Sequence, residues 1–473
     1  MSAPAPVQPR PPGLAKAATG IAGLDEVTFG GLPQGRPTLR CGGAGSGKTM
    51  IAFEFLARGA VQFGEPGVFV SFEETAAEIA DNVRSQSYDV AARVAGGRLA
   101  LDHARVERSE IEETGEYDLE GLSIRLEHAV ARVGARRLVF DTIEALFAGL
   151  PDHVILRAEL RRLFRWTKAR GLTTLITGER GDGKLTRYGL EKYRADCAIV
   201  LNHRVTEQVS TRRLRVARYR GSAHGTNEYP FLIGDHGVSV LPITSLRLDH
   251  AAPAARVGTC AAALDDMLGG QGCYCGASVR LSGSAGTGKS SLGCMAVDAA
   301  RRRGERALLF AFEESTPQML RNRRSIGVDP QPWLGSGLLH IQARRPTFQG
   351  FEQHLLTVHE AVDRFDPAPV LIDPISKLTV DAHRAEVKPL LMRLIDLLKQ
   401  RGITALYTCL TGGQGPDAAD DPLLGVSSLM DIWLLLRNLE SDRFYHRSLC
   451  VLKSRGMAHS NQVRGLLPSP QGV

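Results

Sequence analysis

The stretches Gly42-Gly-Ala-Gly-Ser-Gly47-Lys48-Thr49 and Gly283-Ser-Ala-Gly-Thr-Gly288-Lys289-Ser290 both match the pattern G-x-x-x-x-G-K-[ST]. Each follows a short apolar run and precedes a stretch with helical character, which is the strand, loop and helix context that a phosphate-binding loop requires. In such a loop, backbone N–H groups at a helix N-terminus hold phosphate oxygens, the lysine reaches the terminal phosphates, and the hydroxyl residue coordinates Mg²⁺. Two matches in the same context predict two nucleotide sites.

The two loops belong to a longer internal repeat. Acidic pairs follow apolar runs at Glu73-Glu74 and Glu313-Glu314, with the first acid 25 and 24 residues after the respective loop lysine. Two further short apolar runs end at Asp141 and Asp373, which is the form of a buried parallel strand that carries a Walker B acid. Self-similarity on this scale indicates two duplicated domains rather than a solenoid.

Strands that alternate with helical stretches predict an α/β fold, with a mostly parallel sheet in each half and helices on both faces. Ligands of such sheets bind at the carboxyl ends of the strands. The loop lysines, the acid pairs and the Walker B acids all fall at such ends. The alternative is that the acid pairs are solvated charges after a strand, but their recurrence at the same point of both repeats favours a functional role.

Size and composition fit two globular domains. The chain has 473 residues, of which 43% are hydrophobic, and a domain typically holds ~100–200 residues. The proline-rich start of the chain predicts a flexible tail. The predicted divisions are a tail over 1–19, a first domain over 20–245 with a linker near 241–255, a second domain over 246–466 with a mobile Gly- and Asp-rich loop near 411–420, and a short tail over 467–473.

Charge, cysteine usage and hydropathy exclude several classes of protein. The 58 basic and 51 acidic residues leave a net charge of only +7, and without a long basic tail this excess disfavours a nucleic-acid partner. The eight cysteines form no C-x-x-C pair, so we expect reduced thiols rather than a zinc site. No apolar run reaches the ~18–20 residues of a membrane span, and the N-terminus lacks the apolar core of a signal peptide, so we expect a cytoplasmic protein without a membrane partner.

Other stretches carry a more specific pattern: Thr177-Gly-Glu179-Arg180, Arg187-Tyr-Gly189, Glu228-Tyr-Pro-Phe231 with Asp235-His-Gly237, and Phe310-Ala-Phe-Glu313-Glu314-Ser315. On these stretches the chain resembles the KaiC family, the duplicated RecA-like ATPase and autokinase of the circadian clock. The likeness covers roughly residues 20–466. It implies two tandem RecA-like P-loop domains with mostly parallel central sheets, assembled as a homohexamer with ATP at the subunit interfaces. The first domain would be an ATPase, and the second a serine/threonine autokinase that acts on an adjacent subunit.

The resemblance also implies roles for single residues. Glu73 would activate water in the first domain, and Glu313 would be a general base and metal contact in the second, with Glu74 and Glu314 in support. Lys48 and Lys289 would contact the terminal phosphates, and Thr49 and Ser290 would hold Mg²⁺. The other nucleotide-binding residues would be Gly42, Gly45, Ser46, Gly47, Met50, Ser85, Asp141, Arg218, Tyr219, Arg220, Ser222, His224 and Asp235 in the first half, and Gly283, Gly286, Thr287, Gly288, Ser291, Asp373, Arg447, Lys453, Ser454 and Arg455 in the second.

Four of these residues would act across a subunit interface. Arg218 with Arg220, and Lys453 with Arg455, would reach the γ-phosphate of the neighbouring subunit as cationic fingers. Arg218 stands where the family has lysine, so the charge is kept while the geometry differs.

Ser427 and Ser428 occupy the place of the family's Ser-Thr acceptor pair and are predicted phosphoacceptors. The alternative is that two serines simply begin a strand, but the register with Asp431 and the apolar run over 432–436 favours the acceptor role. Asp421 stands where the family has a further threonine, so a third acceptor is not expected. The chain also ends sooner than the clock protein, whose tail binds a stimulating partner, so neither that regulation nor rhythm-keeping follows.

Three functions compete at this point. The first is an ATP-dependent hexameric autokinase with a regulatory or signalling role, which the Ser427-Ser428 pair favours. The second is a nucleotide-driven scaffold that docks signalling-protein partners and no longer transfers phosphate, which the short tail favours. The third is a RecA-like DNA-dependent ATPase. The low aromatic content of 6%, and the lack of a long basic loop interleaved with aromatic residues after either Walker B strand, disfavour this last function.

Overall fold

The computed structural model describes residues 13–84, 90–104, 120–147, 153–181, 195–206, 209–234, 237–242, 253–259, 261–345, 350–379, 384–411, 427–441 and 444–467. The chain divides into two compact units, Met1–Ser245 and Leu246–Val473. Several predicted features lie outside the described residues: Ser85, Asp235, residues 187–189, Asp421, and most of the predicted linker, Gly- and Asp-rich loop and terminal tails.

The first unit is built on a mostly parallel sheet. Its described strands are β1 Lys16–Ala17, β2 Leu32–Pro33, β3 Pro37–Gly42, β4 Gly67–Ser71, β5 Leu99–His103, β6 Arg137–Asp141, β7 Thr173–Glu179, β8 Cys197–Thr206, β9 Val209–Tyr219, β10 Glu228–Gly234 and β11 Gly237–Val240. Among them, the main sheet has the order β11-β10-β9-β8-β3-β7-β6-β4-β5. Strands β8 to β5 in this order are parallel, and β9 to β11 extend the sheet in antiparallel fashion.

Helices cover both faces of this sheet. The described helices are Leu24–Val27, Lys48–Gln62, Ala76–Arg84, Val90–Ala95, Glu120–Val133 and His153–Ala169, with a 3₁₀ turn at Ile143–Phe147. Strand β6 shows why both faces are apolar: Val139 packs into one core cluster with the helix Lys48–Gln62, while Leu138 and Phe140 pack into the other with the helix His153–Ala169. A continuous apolar run is the expected form of a strand buried on both sides.

The second unit repeats this architecture. Its described strands are β12 Arg256–Val257, β13 Cys273–Tyr274, β14 Ser278–Gly283, β15 Ala307–Ala311, β16 Leu339–Ala343, β17 Pro369–Asp373, β18 Thr404–Leu410, β19 Ile432–Ser441, β20 Phe444–Ser454 and β21 Arg464–Gly465. Over the described residues, the main sheet has the order β16-β15-β17-β18-β14-β19-β20-β21, with β16 to β19 parallel. The helices are Ala262–Met267, Lys289–Arg302, Thr316–Arg324, Gln331–Gly335, Phe351–Phe365 and Arg384–Gln400, with 3₁₀ turns at Ile375–Thr379 and Ser427–Leu429. The predicted α/β fold with two mostly parallel sheets is confirmed.

The ordered part of the first unit begins earlier than the composition predicted. Residues 16–19 were assigned to a flexible tail, but Lys16–Ala17 pairs with Leu32–Pro33 as an antiparallel strand. Thr19 is buried, and its hydroxyl donates to Asp25 at 2.7 Å. These contacts depend on residues beyond the proline-rich segment. Proline content alone therefore predicted a start of the first domain that is too late in the chain.

Two sets of contacts connect segments of the first unit that are distant in the chain. Arg137 is fully buried at the start of β6, and its guanidinium donates to Glu65 at 2.6 Å, to the Phe55 carbonyl at 2.9 Å and to the Ala18 carbonyl at 2.7 Å. Ala22 forms an isolated parallel bridge with Ser239, so that the first and last described segments of the unit meet. The burial of Arg137 could not be predicted from the sequence, because its partners lie on distant elements.

Candidate nucleotide-binding sites

Each phosphate-binding loop lies between a central strand and a helix. The first loop joins β3 to the helix Lys48–Gln62, and the second joins β14 to the helix Lys289–Arg302. Gly47 and Gly288 are the N-cap residues, with φ angles of 87° and 96°, a region where a side chain is strained. Both loops therefore expose backbone N–H groups at a helix N-terminus, which is an anion-binding arrangement.

The loop lysines and hydroxyl residues occupy comparable positions in the two units. Lys48 Nζ donates to the Gly42 carbonyl at 2.9 Å, and Lys289 Nζ donates to the Ser284 carbonyl at 2.6 Å. Burial lowers the pKa of Lys289. The hydroxyls of Ser46 and Thr287 donate to carbonyls of their own loops, at 2.7 Å and 2.9 Å.

The predicted Mg²⁺ ligands lie next to the predicted Walker B acids. The Thr49 hydroxyl donates to Asp141 Oδ2 at 3.0 Å, and the Ser290 hydroxyl donates to Asp373 Oδ1 at 3.0 Å. Thr177 and Thr408, on the neighbouring strands β7 and β18, also donate to these two carboxylates. Burial raises the pKa of Asp141. A hydroxyl beside a carboxylate at the end of a phosphate-binding loop is the oxygen donor set that suits Mg²⁺.

The acid pair of the first unit follows β4 at the same end of the sheet. The Ser71 hydroxyl accepts from the Glu74 N–H at 2.9 Å, which turns the chain toward the helix Ala76–Arg84. Glu73 is exposed, and Glu74 accepts from Asn82 at 3.2 Å. Partial burial, followed by the charge of Glu179, raises the pKa of Glu73, which makes this carboxylate a stronger base.

Another carboxyl group lies at the same end of the sheet. Glu144 is buried in the 3₁₀ turn that follows β6, and its Oε1 accepts from the Glu179 N–H at 2.8 Å. Burial raises its pKa from 4.5 to about 7. Neither Glu144 nor Glu179 was singled out as a site residue from the sequence.

In the second unit, cationic side chains contact the acid pair. Lys377 Nζ lies 3.3 Å from Glu313 Oε1. Arg323 lies between Glu314 and Asp373, with its Nη2 atom 3.8 Å and 3.6 Å from their carboxylate oxygens. Glu314 also accepts from Asn322 at 2.9 Å, as Glu74 does from Asn82. Arg323 and Lys377 are not among the site residues predicted from the sequence.

The predicted fingers and acceptors of the second unit lie together. Ser427–Leu429 forms a 3₁₀ turn, and the strand begins only at Ile432, so the serines precede the strand rather than begin it. Lys453 Nζ donates to the Ser427 carbonyl at 2.8 Å, and Arg455 Nη2 donates to the Ser428 carbonyl at 2.6 Å. In the first unit, Arg218 donates to the Ala195 carbonyl at 3.0 Å, and Arg220 follows directly after β9.

Three of the remaining residues predicted to bind nucleotide pack against other side chains of the first unit. Tyr219 is buried, with its hydroxyl donating to the Gly31 carbonyl at 2.9 Å, and Met50 packs against the core. His224 stacks on the Tyr219 ring. Arg447 instead lies at the loop, where its Nε donates to the Gly286 carbonyl at 3.1 Å. The other predicted residues that the structure describes, Ser222, Ser291 and Ser454, are exposed or partly exposed.

Arg212 is a loop contact that sequence reasoning missed. Its Nε donates to the Gly45 carbonyl at 3.1 Å, just as Arg447 donates to Gly286. Arg212 precedes Arg218 by the same six positions that separate Arg447 from Lys453. Aligning the two repeats position by position is the signal that identifies it.

Two other expectations concern metals and membranes. Over the part of the chain that the structure describes, no group of three or more His, Cys, Asp and Glu side chains could hold a metal ion. None of the seven described cysteines is part of a disulfide bond. No described helix is both long and apolar enough to cross a membrane.

A duplicated α/β unit, with a phosphate-binding loop and an acid pair at the carboxyl end of each sheet, defines the class of tandem RecA-like ATPases. The chain belongs to the KaiC ATPase family, since the family model described as "ATPase: KaiC" matches residues 17–245 and 257–473. The predicted family is confirmed.

Named relatives of this family are similar over nearly the whole chain. A protein of Synechocystis sp. named "Circadian clock protein KaiC2" is 53% identical over 97% of this chain and 81% of its own length. The "Circadian clock oscillator protein KaiC" of Synechococcus elongatus is 35% identical over 97% of this chain and 88% of its own length. A second Synechocystis protein, "Circadian clock protein KaiC3", is 33% identical over 98% of this chain and 92% of its own length.

Proposed function

We propose that this protein is an ATP- and Mg²⁺-dependent homohexamer whose first unit hydrolyses ATP and whose second unit phosphorylates Ser427 and Ser428 of a neighbouring subunit. The observation that carries the proposal is the contact of Lys453 and Arg455 with the carbonyls of these two serines. Cationic fingers that contact the ATP of a neighbouring subunit and hydroxyls that receive its phosphate must lie close together on one subunit. The contacts among these four residues support that arrangement.

In the first unit, hydrolysis uses Glu73 as the general base. Glu73 accepts a proton from a water molecule as the water oxygen attacks the γ-phosphorus of ATP, and the bond to the β–γ bridging oxygen breaks. The products are ADP and inorganic phosphate. Lys48 neutralises the terminal phosphates, and Thr49 would hold a Mg²⁺ ion that would supply further positive charge at this site. The raised pKa of Glu73 favours this role, because a stronger base accepts the proton more readily.

In the second unit, the nucleophile is a serine hydroxyl. Glu313 accepts the proton of Ser427 or Ser428 from the adjacent subunit, the serine oxygen bonds to the γ-phosphorus, and the bond to the β–γ bridging oxygen breaks so that ADP leaves. Lys289 and Ser290 hold the phosphates and Mg²⁺ in this site. Lys453 and Arg455 of the acceptor subunit neutralise the transferred group.

One observation favours a nucleotide-driven scaffold as the second candidate. Lys377 is paired with Glu313, so the carboxylate proposed to accept the serine proton already has a cationic partner. A second site of this kind binds ATP and controls the docking of signalling partners without rapid phosphate transfer.

The test is a mixing experiment with two full-length variants. Lys289→Ala protein, which cannot use its own second site, is combined with Ser427→Ala, Ser428→Ala protein, which cannot accept phosphate. With labelled ATP and Mg²⁺, we expect sedimentation to show mixed hexamers and mass spectrometry to find phosphate on Ser427 or Ser428 of the Lys289→Ala chain.

Three outcomes oppose the proposal in different ways. Efficient labelling of the unmodified protein with no phosphate on the Lys289→Ala chain would refute transfer between subunits. Absence of labelling in the unmodified protein, with ATP-dependent hexamers still present, would establish the scaffold instead. A protein that stays monomeric at saturating ATP would refute the ring.

A further inference from the structure

The second nucleotide site holds two cations that the first site lacks at the same positions. Arg323 is nearly buried, with 6% of its side chain exposed, and it contacts both Glu314 and Asp373. Its counterpart in the first unit is Val83, which is fully buried. Lys377, the partner of Glu313, is replaced by Ala145.

The first site has more carboxyl groups and fewer cations than the second. Its carboxyl groups are Glu73, Glu74, Asp141, Glu144 and Glu179. Its nearby cations are Lys48, the loop contact Arg212, and the buried Arg40, which donates to the Lys48 carbonyl at 2.7 Å and adds positive potential at Asp141. The second site has three carboxylates, Glu313, Glu314 and Asp373, against four cations, Lys289, Arg323, Lys377 and the loop contact Arg447. Carboxyl groups therefore outnumber cations at the first site, whereas the two are nearly balanced at the second.

This difference bears on how each site receives a nucleotide. The ATP phosphates are anionic, and an acidic site repels them unless a divalent cation is bound with them. A neutral site repels them less, because Arg323 and Lys377 already offset the carboxylates. Arg323 is fixed by its burial between two carboxylates, so its charge acts on the site whether or not a metal is present.

We propose that Arg323 and Lys377 take over part of the charge neutralisation by Mg²⁺, so that ATP binding depends less on Mg²⁺ at the second site than at the first. This inference rests on the proposed nucleotide sites. The quantity that expresses it is the ratio of the ATP dissociation constant in EDTA to that in Mg²⁺. The ratio is smaller at the second site.

The experiment measures binding of a fluorescent ATP analogue to full-length protein by anisotropy, in EDTA and in Mg²⁺. Lys48→Ala protein reports the second site, and Lys289→Ala protein reports the first. In the Lys48→Ala protein, we expect Arg323→Gln or Lys377→Ala to raise the ratio by about tenfold, the effect of about 1.4 kcal/mol. Arg323→Lys, which keeps the charge, leaves the ratio near its starting value.

Two further variants serve as matched tests. Arg324 is on the same helix but pairs with Asp329 at the surface, so Arg324→Gln leaves the ratio unchanged. In the Lys289→Ala protein, Ala145→Lys installs the cation of the second site in the first and lowers the ratio.

Several results would overturn the inference. Unchanged ratios in both Arg323→Gln and Lys377→Ala would do so, as would an equal rise in Arg324→Gln or a first-site ratio no larger than that of the second site. Failure of the Lys48→Ala protein to bind the analogue at any Mg²⁺ concentration would remove the proposed second nucleotide site, and this inference with it. That result is distinct from binding with the wrong metal dependence.

Discussion

The first unit has five carboxyl groups around its Walker B strand, whereas the second unit replaces two of them with a hydroxyl and an apolar side chain and carries two additional cations at neighbouring positions. Glu144 and Glu179 of the first unit correspond to Ser376 and Leu410 of the second. The phosphate-binding loop, the hydroxyl-to-carboxylate contact and the asparagine on the second acid are the same in both units. The predicted phosphate-binding part is retained in both copies, and the difference lies in the residues that set the charge around it.

The strongest test of this comparison removes the acid pair of the first unit. In the Lys289→Ala protein, Glu73→Gln with Glu74→Gln should reduce the ATP hydrolysis rate by ~10²–10⁴-fold, which is the usual effect of losing a general base. Nucleotide binding should persist, because the loop is untouched. Glu78→Gln, an exposed acid on the following helix, is the matched control. An unchanged rate in the double variant would refute the hydrolytic role of Glu73.

The next test concerns the buried carboxyl group that only the first unit has. The pKa of Glu144 is raised from 4.5 to about 7 by burial, so the folded state keeps a proton that the unfolded state loses. The stabilisation from this proton is fully present below pH ~4.5 and is lost as the pH rises through about 7.

Glu144→Gln cannot ionise, so it should be more stable than the unmodified protein at pH 8, by on the order of 3 kcal/mol. At pH 5 the two proteins should be much closer in stability. Urea unfolding at both pH values measures the difference, with Glu127→Gln as an exposed control. If Glu144→Gln changes the unfolding free energy equally at pH 5 and pH 8, the carboxyl group does not titrate in this range.

The smallest expected effect tests whether the matching aspartate–threonine hydrogen bonds near the start of each unit are equivalent. Asp25 accepts from the Thr19 N–H at 2.8 Å, and Asp265 accepts from the Thr259 N–H at 2.9 Å. Asp25→Ala and Asp265→Ala should each speed hydrogen exchange of the corresponding threonine amide by about tenfold, since its charge-assisted hydrogen bond is lost together with the one from the threonine hydroxyl. Mass spectrometry of the peptides around Thr19 and Thr259 gives the rates. A marked effect in one unit only would mean that these hydrogen bonds are not equivalent.

The phosphate-binding loops and the parallel strands could be predicted from the sequence because their signals are local. A glycine-rich loop between a strand and a helix is read from eight consecutive residues, and apolar runs predict the buried parallel strands that surround it. Helix starts also depend on local contacts: Thr75 with Glu78, and Ser315 with Gln318, form reciprocal caps.

The residues that tune the site escaped prediction because their partners are distant in the chain. Arg323 and Asp373 are separated by 50 positions, and only the pairing of β15 with β17 brings their elements together. Buried arginines such as Arg40 and Arg280 look like surface residues by composition. A comparison of the two repeats would have identified Arg323 and Lys377 as differences, since the first unit carries Val83 and Ala145 there.

The bridge between Ala22 and Ser239 has a consequence for synthesis on the ribosome. The chain emerges N-terminus first, but the segment around Ala22 reaches its final hydrogen bonds only when Val240 is available to donate to the Ala22 carbonyl. The first unit therefore finishes folding only after nearly all of its residues have left the exit tunnel. Because its first and last described segments meet, this unit is also a suitable candidate for circular permutation, with new ends opened in a surface loop.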